Sequence, residues 1–154
     1  MNLPLRSFSD MEAIIEGVCD GTIDMIATDH APHSAEEKSR GLEHSAMGVV
    51  GLETAFPLLF SGLVLSRILP FRRLMELLHD APCRRFGLDG GIEIGDRADL
   101  TVFDISQSYR IDPEEFVSMG KSTPFTGLHV CGRCRMTLSA GKIAWSDGTL
   151  EGNS

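Results

Sequence analysis

An aspartate and two histidines lie within the five-residue stretch Asp29-His30-Ala31-Pro32-His33. A carboxylate in such a cluster can ligate a metal ion or act as a general base toward a metal-bound water. Pro32 prevents His30 and His33 from standing on one regular helical turn, so each is aimed separately from a loop, unlike the paired histidines of a helical H-E-x-x-H site. The same residues also fit a plainer interpretation, an N-cap aspartate followed by two surface histidines.

A short apolar run comes directly before this cluster. It extends from Ile23 to Thr28, Ile-Asp-Met-Ile-Ala-Thr, and polar residues bound it on both sides. Such runs are typical of parallel strands that are buried on both faces. In parallel α/β architectures the carboxyl ends of the strands form the active-site face. We therefore expect Asp29 to lie at the mouth of a cleft, immediately after a buried strand.

Helices are predicted on both sides of that strand, within residues 1–88. Apolar spacing and capping residues predict three of them, which begin near Ser9, Leu52 and Pro70. The first begins with a capping box at 9–12. Pro57 must kink or delay the second helix, and Pro82 must end the third. After the histidine cluster, residues 34–48 are polar and contain glycine, which predicts a loop in which Lys38 and its acidic neighbours are solvated.

Residues 89–154 carry β-strand signals instead. Strands are predicted over 99–104 and 128–138, and a turn over 139–142 leads into a third short strand. Cys131 and Cys134 are three residues apart on the second strand, and strict alternation places Cys134 in the core and Cys131 outside. Without a second cysteine pair, this spacing does not indicate a four-ligand zinc site.

Length and charge exclude several classes of protein. The 154 residues carry 14 basic and 22 acidic side chains, a net charge of −8, which argues against a nucleic-acid partner. A membrane span or an apolar signal-peptide core is not apparent, so we expect a cytoplasmic protein without a membrane partner. A complete (β/α)8 barrel takes about 250 residues, so this chain cannot close one alone.

Five stretches, in order along essentially the whole chain, resemble class I dihydroorotase of the amidohydrolase superfamily. They are N-L-P-L-R, I-D-M-I-A-T-D-H-A-P-H, G-V-V-G-L-E-T, A-D-L-T-V-F-D and G-K-S-T-P-F-T-G-L. The resemblance implies an α/β fold, the C-terminal fragment of a (β/α)8 amidohydrolase barrel followed by a small β-rich segment. Residues 1–88 would form the last βα units of the barrel, and residues 89–154 a β-rich side domain.

The resemblance also implies an activity, the zinc-dependent and reversible hydrolysis of the cyclic amide of dihydroorotate to N-carbamoyl-aspartate in pyrimidine biosynthesis. By the same resemblance, Asp29 would contact the metal and move the proton from water to the leaving nitrogen. Asn2 and His33 match positions that hold the substrate, and the backbone of Gly48 matches a loop position that touches its ring. The family role of His30 stays open.

The chain departs from the family in its metal ligands. It contains no His-x-His, and Asp29 is the only residue matched to a ligand, whereas a catalytic zinc needs three protein ligands. We therefore expect a chain that is inactive alone and that self-associates or meets a chain supplying the missing barrel. Two alternatives stay open, a related cyclic amidohydrolase such as a hydantoinase or allantoinase, and a non-catalytic dihydroorotase-like binding module.

Overall fold

The computed structural model describes residues 7–88 and 90–150, and Asn2 lies outside these residues. Helices precede a small sheet along the chain. The α-helices are α1 (Phe8–Asp20), α2 (Ala35–Lys38), α3 (Gly41–His44), α4 (Ala55–Leu59), α5 (Phe71–Met75) and α6 (Ala81–Phe86). Two π-helical segments, Phe60–Leu65 and Glu76–Asp80, continue α4 and α5, and a 3-10 turn spans Pro113–Glu115. The strands are β1 (Leu100–Arg110), β2 (His129–Ser139) and β3 (Lys142–Ser146).

Helix α1 begins earlier than its sequence pattern predicts. Ser7 is the N-cap, its hydroxyl accepts the Asp10 N–H at 3.3 Å, and the Asp10 carboxylate accepts the Ser7 N–H at 3.0 Å. The predicted box at 9–12 was therefore wrong by two residues, because a short aspartate at the third position closes the box as a glutamate would. The helix ends before Gly21, which adopts the left-handed conformation, with a φ of 93°, that is common for a glycine after a helix.

The two prolines act differently on their helices. Pro57 is the third residue of α4, where the first helical turn needs no N–H donor, so the helix starts late and is not kinked. The prediction that the third helix stops before Pro82 was wrong, because the helical path runs on through Phe86. The π-helical turn Glu76–Asp80 shifts the hydrogen-bond partners just before Pro82, which removes the conflict with its missing N–H.

The predicted buried strand over Ile23–Thr28 does not form in this structure. Each of its residues is exposed or only half-buried, and the Ile26 N–H donates to the Leu77 carbonyl at 3.1 Å. A strand that is buried on both faces needs a neighbour along each edge. In the described part of the chain, a single parallel bridge between His30 and Val49, just after this run, is the only pairing of that kind.

The sheet has three antiparallel strands in the order β1-β2-β3, and it confirms the predicted strands and hairpin. Its register shifts between Val102, paired with Met136, and Phe103, paired with Cys134. Such a bulge reverses the alternation of faces. The expected outward position of Cys131 was wrong: this residue packs against the buried apolar cluster. Cys134 is half-buried, and burial raises the pKa of its thiol.

The apolar core lies between the helices and the sheet. Its buried side chains form one cluster of Val18, Phe56, Phe60, Leu69, Leu74 and Leu77. The ring of Phe56 stacks on that of Phe103 with centroids 4.0 Å apart, which joins α4 to β1. Gly132 allows this approach, since a Cβ there would lie 2.8 Å from the Phe56 ring. None of the helices in residues 7–88 and 90–150 is both long and apolar enough to span a membrane.

A charged cluster of Asp104, Arg135 and Asp147 ties the outer part of the sheet together. Arg135 donates to both carboxylates at 2.8 Å. Hydrogen bonds from Thr149 and Arg135 lower the pKa of Asp147 to about 2, and those from Ser106 and Arg135 hold the pKa of Asp104 well below its ordinary range. Both carboxyl groups therefore stay ionised in the folded protein at pH values where they are protonated in the unfolded chain.

This cluster predicts acid sensitivity. Because folding lowers both pKa values, their stabilising contribution is complete above the unfolded value of about 3.9 and is lost as the pH falls toward 2. We expect the free energy of unfolding, measured in urea, to fall between about pH 5 and pH 2, and to fall less steeply in Asp147→Asn. Asp24→Asn, at an exposed aspartate outside the cluster, is the control. Equal slopes in the native protein and Asp147→Asn would contradict this assignment.

Candidate functional site

Asp29 lies in an exposed loop with a backbone conformation that is uncommon for its residue type. Its φ is 44°, in the left-handed region that favours glycine and that aspartate tolerates better than most side chains. Its carboxylate faces solution, as the sequence predicts for a group at the mouth of a site. Such strain is most often kept where the surrounding structure holds the residue for a purpose.

His30 turns its ring toward two other parts of the chain. Its Nδ1 lies 3.2 Å from the backbone nitrogens of both Gly51 and Leu52, and its Nε2 lies 3.4 Å from the Ser118 hydroxyl. Because backbone N–H groups only donate, Nδ1 accepts both hydrogen bonds and carries no proton. The sequence left the role of His30 open, and these contacts supply one.

A second loop, residues 46–52, packs directly on the loop that carries Asp29. The Ala31 N–H donates to the Val49 carbonyl at 3.0 Å. Gly48 has a φ of 138°, and a Cβ there would lie 2.6 Å from the Ala31 Cβ. At Gly51 a Cβ would lie 2.8 Å from the Thr28 carbonyl oxygen. Both positions therefore need glycine, and Gly48 lies against Ala31 and His33.

His33 and Lys38 close the second loop from its other side. His33 Nε2 donates to the Met47 carbonyl at 2.9 Å, and its Nδ1 lies 3.8 Å from a Glu37 carboxylate oxygen. Lys38 Nζ donates to the carbonyls of Ala46 at 3.0 Å and of Gly48 at 2.9 Å. The expectation that Lys38 is merely solvated was wrong. Its partners lie eight and ten residues further on, beyond the reach of local patterns.

A third segment, residues 116–122, covers the second loop. The Glu53 carboxylate accepts the N–H groups of Val117 at 2.8 Å and Ser118 at 3.0 Å. Burial raises the pKa of Glu53, but the hydrogen bonds from Ser118 and Val117 outweigh it and hold the pKa below its ordinary value. The Val50 N–H donates to the Ser122 carbonyl at 2.9 Å. Segments far apart in sequence therefore meet around the Asp29 loop.

An open cavity of about 330 Å³ lies where these segments meet. Its lining combines imidazole, ammonium and hydroxyl groups with apolar carbon, from His33, Ala35, Lys38, Ser39, Met119, Lys121 and Ser122. Lys38 and Lys121 give the cavity a cationic wall in a protein whose net charge is −8. Such a wall suits a negatively charged small molecule better than a neutral one.

The described residues do not assemble a metal centre by themselves. Among residues 7–88 and 90–150, no group of three His, Cys, Asp or Glu side chains is placed to hold a metal ion. His30 Nδ1 and His33 Nε2 already take part in hydrogen bonds. Asp29 does not belong to any such group of potential ligands among the described residues. Asn2, the remaining predicted site residue, lies outside the described residues.

Comparison with known proteins identifies relatives of this chain. The chain is 51% identical to a dihydroorotase from Bacillus cereus over 146 residues, which are 94% of this chain and 34% of the relative. A dihydroorotase from a Geobacillus species is also 51% identical, over 96% of this chain and 35% of its own length. In sequence, the chain matches the C-terminal third of dihydroorotase.

The structure agrees with this relationship to dihydroorotase. The solved structure of an L-hydantoinase (dihydropyrimidinase) from Arthrobacter aurescens superposes with a TM-score of 0.82 at 30% identity, over 93% of this chain and 33% of that protein. No family model matches the chain. The chain thus spans about a third of the length of the curated relatives that it matches.

Proposed function

We propose that this chain supplies the Asp29 part of a dihydroorotase active site, which hydrolyses the cyclic amide of dihydroorotate to N-carbamoyl-aspartate in cytoplasmic pyrimidine biosynthesis. The observation that carries the proposal is the packing of the Gly48 loop on the Asp29–His33 loop. There the Gly48 backbone lies against Ala31 and His33, and His33 also lines a cavity that carries two lysines. A carboxylate-bearing substrate such as dihydroorotate suits that charge.

Each residue has a separate task in this proposal. The exposed Asp29 carboxylate accepts a proton from the attacking water and delivers it to the ring nitrogen that leaves. His33 is assigned to the substrate carboxylate by the resemblance; in this structure its Nε2 donates to the Met47 carbonyl and its Nδ1 lies 3.8 Å from a Glu37 carboxylate oxygen. The Gly48 backbone, fixed by Lys38, touches the substrate ring. Asn2 is proposed as a further substrate contact, although it lies outside the described residues.

Zinc is proposed as the cofactor of the assembled enzyme. The residues that the structure describes do not fit zinc on their own, because Asp29 is the single residue proposed as a ligand and a catalytic zinc needs three. The other ligands would come from outside this chain, together with the rest of a (β/α)8 barrel. For the same reason we propose that these 154 residues are inactive alone and contribute to activity only within a complete site.

A hybrid enzyme tests the proposal. In it, this chain replaces the segment of the Bacillus cereus dihydroorotase that it matches. We expect the hybrid to hydrolyse dihydroorotate, and the isolated chain to bind zinc weakly and to show no turnover, since it lacks the ligands that activate water. Zinc binding is measured by dialysis, and turnover by the loss of dihydroorotate. Turnover by the isolated 154-residue chain, abolished by Asp29→Ala, would contradict the expectation.

Hydantoin hydrolysis is the second candidate, favoured by the superposition on the L-hydantoinase. Assaying the same hybrid on dihydroorotate, hydantoin and allantoin separates the two candidates, because binding contacts made by this chain would favour its own substrate. A higher kcat/KM for hydantoin would replace the dihydroorotase proposal. A folded hybrid without turnover on any of the three would favour a non-catalytic binding module.

A further inference from the structure

His30 is the one residue of the Asp29 loop whose side chain joins both of the other loops. Its ring contacts the backbone of Gly51 and Leu52 on one side and the hydroxyl of Ser118 on the other. We propose that His30 is a positioning residue, which holds the Gly48 loop and the Ser118 segment beside Asp29 through an Nδ1 that accepts from two backbone N–H groups and an Nε2 that faces the Ser118 hydroxyl. The structural part of this inference stands alone, and its consequence for catalysis rests on the proposed function.

The tautomer follows from what faces each ring nitrogen. Two consecutive backbone N–H groups point at Nδ1, so a proton on Nδ1 would face two donors and remove both hydrogen bonds. Nε2 faces a hydroxyl, which can accept. The backbone N–H of Ser118 donates to the Glu53 carboxylate, and this hydrogen bond fixes the position of the serine whose hydroxyl faces the ring. Neutral imidazole with Nε2–H satisfies every one of these groups.

The ring also supplies an acceptor that this part of the second loop needs. Gly51 is buried and lies so close to Thr28 that a Cβ there would come within 2.8 Å of the Thr28 carbonyl oxygen. Its N–H donates to His30 Nδ1, and a buried N–H without an acceptor destabilises the segment that carries it. The imidazole thus makes the close approach of the second loop possible.

The same contacts act on Asp29 through the backbone. Asp29 has a left-handed φ of 44°, and the residue after it is held by the His30–Val49 bridge and by the ring contacts. A residue in that region keeps its conformation only when its neighbours determine it. The contacts of His30 therefore also fix the direction in which the Asp29 side chain leaves the loop. The same contacts hold the Gly48 loop beside Asp29.

Nuclear magnetic resonance of the 154-residue chain tests the structural part. We expect scalar coupling across N–H···N hydrogen bonds from the amides of Gly51 and Leu52 to His30 Nδ1, and nitrogen shifts of a ring protonated on Nε2. In His30→Ala the Gly51 amide should exchange with solvent about tenfold faster. In His30→Asn, whose side-chain oxygen replaces the Nδ1 acceptor, exchange should stay within about threefold of the native rate. His44→Ala, at an exposed histidine, is the matched control.

Two outcomes overturn the proposal: a ring protonated on Nδ1 in the native chain, or a Gly51 exchange rate that His30→Ala leaves unchanged. If His30→Ala does not fold, the native couplings and His30→Asn decide. In the hybrid, His30→Ala should lower kcat about tenfold with a smaller change in KM, and His30→Asn should restore most of it. Failure of the dihydroorotase proposal removes turnover from the native hybrid and leaves the tautomer and the amide exchange as they are.

Discussion

Asp29→Asn is expected to reduce the dihydroorotate turnover of the hybrid enzyme by roughly 10²–10⁴-fold, the usual contribution of a positioned proton-transfer group. The asparagine keeps the size and the loop tendency of aspartate and removes the group that accepts and delivers the proton. Because the Asp29 side chain is exposed, its loss should leave the fold intact. Steady-state kinetics on the purified variant provide the measurement.

The matched control for this variant is Asp24→Asn, at an exposed aspartate five positions earlier in the same segment. It removes one negative charge, as Asp29→Asn does, and it should leave turnover nearly unchanged. A hybrid in which Asp29→Asn retained more than about a tenth of the native kcat/KM would show that another group transfers the proton. Urea unfolding of both variants excludes a loss of folded protein as the cause.

Gly48→Ala is expected to reduce turnover of the hybrid by roughly 10²-fold, the typical cost of a site displaced by about 1 Å. A methyl group at this position would lie 2.6 Å from the Ala31 Cβ and 2.7 Å from the Ala31 carbonyl oxygen, and the backbone φ of 138° disfavours any side chain. The second loop must therefore move away from Asp29 and His33. Kinetics on dihydroorotate and hydrogen exchange at Val49 together report the displacement.

The Gly41→Ala variant separates the effect of backbone strain from the effect of a displaced loop. Gly41 also has a positive φ, 79°, but a Cβ there meets nothing within 4 Å. This variant should lose some stability and keep its activity, since the left-handed conformation disfavours alanine without moving a neighbour. Equal losses of activity in the two variants would mean that the clash between Gly48 and Ala31 does not set the geometry of the site.

The longer helices and the small sheet were largely predictable, because their signals are local, but the loop predicted over 34–48 was wrong, since it contains the short helices α2 and α3. Apolar spacing gave α1 and the helix after Pro70, and alternation with a turn at 139–142 gave β2 and β3. Two features of the structure are changes of hydrogen-bond register: the π-helical turn before Pro82 and the bulge between Cys134 and Met136. Single-residue patterns do not reveal such shifts, since they depend on packing between elements.

The sequence pattern alone could not show whether residues Ile23–Thr28 form a strand. Nor could it show which residues contact one another in the site. A buried strand is defined by the strands beside it, and the described residues supply none along this run. The contacts of Lys38, His30 and Ser118 join residues between eight and eighty-eight positions apart. The resemblance predicts site roles for Asp29, His33 and Gly48, and the structure adds the contacts between the loops that carry them.

The most direct test of this account is a crystal structure of the hybrid enzyme with dihydroorotate bound. We predict that the Asp29 carboxylate, the His33 ring and the Gly48 backbone all lie within hydrogen-bonding distance of the ligand, with the substrate carboxylate on the His33 side. A ligand held elsewhere, with Asp29 and His33 both turned away from it, would contradict the central claim that this chain supplies one part of a dihydroorotase active site.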